Sequence, residues 1–128
     1  NTLIMAGDLV RAEANTQRTT NSTSYTKMKE FRVFASGKVR VKWEQCQVAG
    51  DGYVYSKIYR NGVAVSGENK QTSSNWLGYS YDLDVTNGDY IQVYCKVADS
   101  ATTLGIRNVK LCYTVYGGEV ASPIVTLD

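Results

Sequence analysis

Residues 38–43 read Lys38-Val39-Arg40-Val41-Lys42-Trp43, three cations alternating with Val39, Val41 and Trp43. A period of two sends successive side chains to opposite faces, so the stretch is a strand with one apolar and one charged face. The device recurs in Tyr90-Ile91-Gln92-Val93-Tyr94-Cys95-Lys96-Val97, with Ile91, Val93, Cys95 and Val97 inward. It recurs again from Arg107 to Val115, with Val109, Leu111, Tyr113 and Val115 inward. Cys95 is then a core position, and Cys112 falls on the opposite face.

Outward from these runs, turn chemistry punctuates the chain. Asn61-Gly62 lies between Lys57-Ile58-Tyr59-Arg60 and Val63-Ala64-Val65 and predicts a type I′ hairpin, whose two central residues both need positive φ. Strands are predicted near 9–14, 24–34, 38–47, 53–60, 63–66, 79–85, 89–97 and 106–116, with terminal strands at 2–5 and 124–127. No segment carries a 3.6-residue period. The expected fold is all-β, an antiparallel β-sandwich, jelly-roll-like, of about eight to ten strands in one domain over residues 1–128.

A near-repeat bears on the architecture. Asn15, Gln17, Thr19, Thr20, Asn21 and Tyr25 match Asn69, Gln71, Ser73, Ser74, Asn75 and Tyr79 at an offset of 54. Val39, Val41 and Trp43 then match Ile91, Val93 and Cys95 at an offset of 52. Each copy reads as a polar loop, a strand, a Gly turn and a second strand, as two halves of a pseudo-symmetric double sheet would.

Of the 128 residues, 43% are hydrophobic and none is His, which removes the commonest general base and the usual zinc and haem ligand. The net charge of +2 is too balanced for a nucleic-acid binder, and no apolar run is long enough to span a membrane. Charge is uneven along the chain: residues 1–43 hold eight basic and three acidic side chains, residues 44–128 six and nine. Such a polarity is available for a head-to-tail contact, or it belongs to solvated strand faces. Cys46, Cys95 and Cys112 form no C-x-x-C pair and read as reduced, core-type thiols. The chain begins at Asn1, as a processed product or a fragment does.

Without His, chemistry would fall to carboxylates, Tyr or Cys. Asp82 and Asp84 share a strand face, and Asp89 follows the Asn87-Gly88 turn, but one short hairpin does not set two carboxylates across a sugar-sized cleft. Cys46 and Cys112 lack a neighbouring base to activate them. No catalytic residue, cofactor or metal ligand is assigned. Tyrosine is more informative: Tyr53, Tyr55 and Tyr59 share one strand face, and Tyr79 and Tyr81 share another close to Trp76. Such groups serve as platforms for sugars or protein partners, or they fill sheet surfaces by cross-strand packing.

The stretches Gln17–Glu30, Gly37–Lys42, Ile58–Val65, Gly88–Lys96 and Ile106–Leu111 resemble β-sandwich modules of tailed-bacteriophage virion proteins, over roughly residues 7–116. The resemblance implies capsid decoration or a head-fibre or tail-fibre accessory role on the virion surface. Its partners would be a major capsid protein or fibre subunits. The jelly-roll shape is similar to that of the complement and tumour-necrosis-factor group, which implies a homo-oligomer, a trimer in particular. Residues 1–6 and 117–128 are candidate exchanged or docking segments, able to add as strands to a neighbour's sheet. The alternatives are a carbohydrate-binding module reading a surface glycan with Trp76, Tyr79 and Tyr81, or a secreted or cell-surface filament subunit joined by donor strands.

Overall fold

The structure, a computed structural model, describes residues 3–116 and 124–127. The candidate docking segments fall partly outside it: Asn1, Thr2, residues 117–123 and Asp128 are not among the described residues. The strands are β1 (Leu3–Ala14), β2 (Arg18–Thr20), β3 (Thr26–Val33), β4 (Gly37–Ala49), β5 (Val54–Arg60), β6 (Val63–Ala64), β7 (Asn69–Gln71), β8 (Leu77–Val85), β9 (Tyr90–Val97), β10 (Thr103–Tyr116) and β11 (Ile124–Thr126). They form two sheets facing each other, the antiparallel sandwich that alternation predicts.

In the first sheet β10 is central. It pairs with β1, β2 and β4, Ile4 at the start of β1 also pairs in parallel with Gly37 of β4, and β8 closes the edge beyond β4. The second sheet runs β11-β3-β9-β5-β6, with β7 also on β5. The predicted strands at 2–5 and 9–14 are one strand: Leu3–Met5 pair with Tyr116–Thr114 and Val10–Ala14 with Cys112–Val109, a register shift accommodating the residues between. Ile124–Thr126 pair with Val33–Phe31 of the same chain.

Strict alternation breaks in β10. Leu104 and Ile106 are buried at even positions, Val109, Leu111 and Tyr113 at odd ones. Asn108, at φ 53°, lies in the register shift between Arg107 and Lys110 that exchanges the faces. The strand therefore continues back to Thr103 rather than starting at residue 106.

The core is where the alternation places it. Val39, Val41 and Trp43 meet Ile91, Val93, Cys95 and Val97 across the sandwich, all within 1% of complete burial. One polar network ties the sheets together: the Trp43 indole N–H donates to Ser56 Oγ (3.2 Å), and Ser56 donates to Gln45 Oε1. Gln45 in turn donates to the carbonyl of Asn69 (3.1 Å). The Asn61-Gly62 hairpin has φ of 53° and 81°, the two positive values of its turn type. Asn61 also binds it to β9, accepting from the Tyr90 N–H (2.8 Å) and donating to Asp89 Oδ1 (2.9 Å).

The near-repeat is a register repeat. In the second sheet Phe31 faces Ile91, Glu30 faces Gln92 and Arg32 faces Tyr90; in the first, Leu83 faces Val39, Asp82 faces Arg40 and Asp84 faces Lys38, each pair related to its counterpart by 52 residues. The offset of 54 upstream does not hold. A shift in β3 between Lys27 and Lys29 sets Thr26 opposite Cys95, so Thr26, not Tyr25, stands where Tyr79 stands opposite Trp43. The paired strands within each copy do not form a hairpin either: β3 to β4 and β8 to β9 both cross from one sheet to the other.

Candidate functional site

The outer face of the second sheet follows from the polar half of each alternation. Val54, Ser56 and Ile58 point into the sandwich, so Tyr53, Tyr55, Lys57 and Tyr59 point out. On β9 the outward set includes Gln92, Tyr94 and Lys96. Register places Lys96 directly opposite Tyr55 and Tyr94 directly opposite Lys57. Rings and ammonium groups thus alternate across the two central strands.

Contacts bear this out. Tyr59 and Tyr94 stack with ring centroids 3.9 Å apart, and Tyr25, arriving just before β3, lies 6.3 Å from Tyr59. Lys96 Nζ sits 5.1 Å from the ring centres of both Tyr25 and Tyr55. Lys57 Nζ lies 5.0 Å from Tyr25, and Lys70 Nζ, from β7, 4.1 Å from Tyr53. These are cation–π distances, and they hold long side chains flat over the sheet. The Tyr25 hydroxyl donates to Glu68 Oε2 (2.8 Å); burial and then that carboxylate push its pKa up, so it stays a donor. Among the described residues the hydroxyls of Tyr53, Tyr55, Tyr59 and Tyr94 have no protein partner, and Tyr53 is 43% exposed.

Tyr53, Tyr55 and Tyr59 therefore share a face as their spacing predicts, and the topology adds Tyr94 and Tyr25. Tyr94 is visible in sequence as an outward position of its strand, but nothing in the sequence says that strand is β5's neighbour.

The second aromatic group does not form a platform. Tyr79 and Tyr81 share a face, but it is the inner one, packed against the core with Leu83 and Val85. Tyr79 stacks on Trp43 at 5.8 Å and donates to Gln71 Oε1 (2.8 Å); Tyr81 donates to the Val65 carbonyl (2.8 Å). Trp76 lies on the other side of that sheet. It rests over Gly105, where an added Cβ would come 3.0 Å from the indole and 2.6 Å from Val48 Cγ2, and Arg107 covers its ring at 4.1 Å. Trp76, just before β8, has the parity of the outward Gly78 and Ser80 rather than of Tyr79 and Tyr81, which is why nearness in sequence does not become a shared surface.

On that outer side of the first sheet, a groove of about 620 Å³ runs past Lys42, Glu44, Gly78, Ser80, Asn108 and Lys110. Its charges are already matched. Arg107 donates to Glu44 (2.8 Å), Lys110 pairs with Glu13 at 3.7 Å, and Lys42 pairs with Asp8 at 3.5 Å. Beside it Arg40 bridges Asp82 and Asp8, each at 2.8 Å, and its guanidinium holds both carboxyls below their usual range. A general acid needs the opposite shift. Asp84 pairs with Lys38 (3.6 Å), and Asp89 accepts from the Thr86 N–H and from Asn61. All three thiols are buried, which pushes each pKa up and away from the reactive thiolate. Cys112 faces outward as expected, yet it is fully covered where Asp8, Arg40, Lys42 and Lys110 gather.

Among solved structures, the fold is similar to the C-terminal domain of EclA, a sugar-binding protein, with TM-score 0.60, 13% identity and 82% of each chain covered. It is also similar to the CBM22-1 xylan-binding domain from Paenibacillus barcinonensis, with TM-score 0.52, 12% identity, and 85% of this chain and 96% of that one covered. A third is a CBM35 domain from Cellvibrio japonicus, with TM-score 0.50, 15% identity, and 93% and 98% covered. No family model and no curated protein sequence matches the chain. At these identities the likeness establishes a jelly-roll β-sandwich fold. None of the three is a virion protein, so the phage resemblance gains nothing from them beyond the fold.

Proposed function

We propose that the chain is a non-catalytic glycan-binding domain whose contact surface is the tyrosine–lysine face of the second sheet. One observation carries the reading: Tyr53, Tyr55, Tyr59 and Tyr94 stand together on one open sheet face, their hydroxyls without a partner among the described residues. A sugar offers an apolar C–H face and a rim of hydroxyls, and a phenol offers an apolar ring and a hydrogen-bonding tip. Tyr79 and Tyr81, whose hydroxyls are spent inside the sandwich, are structural in this reading. The sugar-binding domains that share the fold support it by analogy. Such a ligand suits a secreted or surface-exposed chain.

The test is affinity electrophoresis through gels containing polysaccharide. Replacing Tyr59 and Tyr94 together by Ala should weaken retention about tenfold or more while leaving the unfolding transition cooperative. Trp76→Ala should leave retention unchanged. Loss of retention in the Trp76 variant, with the double tyrosine variant unaffected, would move the site to the first sheet.

A further inference from the structure

The tyrosine–lysine face is more basic than the chain as a whole. Lys27, Arg32, Lys57, Lys70 and Lys96 project from it against two carboxylates, Glu30 and Glu68, whereas the full chain carries only +2. Glu30 is held by Lys27 (3.1 Å) and Gln92 (2.7 Å). Glu68 accepts from Tyr25 and lies 3.9 Å from Lys96. Among the described residues no carboxylate pairs with Lys57 or Lys70, whose ammonium groups lie over rings instead.

Building on the glycan-binding reading, we infer that the ligand is a polyuronate, a polysaccharide bearing one carboxylate on each sugar ring. A uronic acid presents an apolar C–H face and an anionic group side by side. The face presents the complementary pair twice, Tyr55 opposite Lys96 and Tyr94 opposite Lys57, in adjacent rows. Glu68 is the chain's own rehearsal of the contact: a carboxylate that accepts from a tyrosine hydroxyl and sits beside a lysine. A neutral glycan would lie over the same rings but would strip water from the ammonium groups without replacing it, which disfavours it. These pairs are partly exposed, so binding weakens as salt rises.

The experiment uses the full chain and four polymers: polygalacturonate, its fully methyl-esterified form, neutral xylan and dextran sulfate. Polygalacturonate should bind about tenfold more tightly than the ester, as a few exposed ammonium–carboxylate contacts provide. Lys57→Gln with Lys96→Gln should abolish that preference, lowering affinity for the acid toward that for the ester; an undiminished preference in this double variant overturns the inference. Equal affinity for acid and ester, or binding to xylan alone, overturns the polyuronate inference and leaves the glycan-binding reading standing. Dextran sulfate binding as tightly as polygalacturonate overturns the selection for carboxylate. Failure to bind any of the four overturns both.

Discussion

Ser56 shows how much rests on single polar atoms inside this sandwich. Its hydroxyl accepts from the Trp43 indole and donates to Gln45, on the opposite sheet, and all three residues are buried. Ser56→Ala removes one bond from each partner at a buried site and leaves them only the longer Trp43–Gln45 contact of 3.4 Å. We expect a loss of about 1–3 kcal/mol in denaturant unfolding; a change near zero would mean the network is not formed. Alternation alone makes Ser56 inward, but not its partners, because they come from a strand the sequence does not announce as a neighbour. The tyrosines divide on the same principle. Parity within β5 puts Tyr53, Tyr55 and Tyr59 on one face, whereas the side of the sheet that Tyr79 and Tyr81 take depends on which face of β8 meets the core, and there the aromatic residues are the inward ones.

At the scale of elements, strands with clean alternation are legible to within a few residues. Short polar strands are not: β2 and β7, three residues each, lie in Ser/Thr/Asn stretches and exist only because β10 and β5 offer them an edge. The shift at Asn108 is equally opaque, since a single positive φ moves the inward set from even to odd positions. The Asn61-Gly62 hairpin is the opposite case, its geometry written in two residues. Gly62 has φ 81° with no atom within 4 Å of an added Cβ, so Gly62→Ala isolates the backbone cost, about 1–2 kcal/mol. Gly67→Ala, in equally open space and without a positive φ, should cost a few tenths of a kcal/mol or less, as other surface changes do. Equal effects in thermal unfolding of the two variants would contradict the turn type.

At the scale of the molecule, the charge polarity between the two halves of the sequence does not survive folding. Strands from each half lie side by side, so Lys38 and Arg40 of the basic half meet Asp84 and Asp82 of the acidic half on the first sheet. Lysines from the nominally acidic half, Lys57, Lys70 and Lys96, gather instead on the second. The register repeat organises this, pairing Glu30 with Gln92 in one sheet where Asp82 faces Arg40 in the other. The first face is thereby neutralised by its own ion pairs, while on the second, among the described residues, Lys57 and Lys70 have no carboxylate partner, the division on which the proposed glycan site rests. Amide chemical-shift mapping tests that division most directly, with the chain titrated in turn by a xylo-oligosaccharide and an oligogalacturonate. The account predicts saturable shifts confined to β5, β9 and the Tyr25 segment; shifts centred on Gly78, Ser80 and Asn108, or none with either sugar, would contradict it.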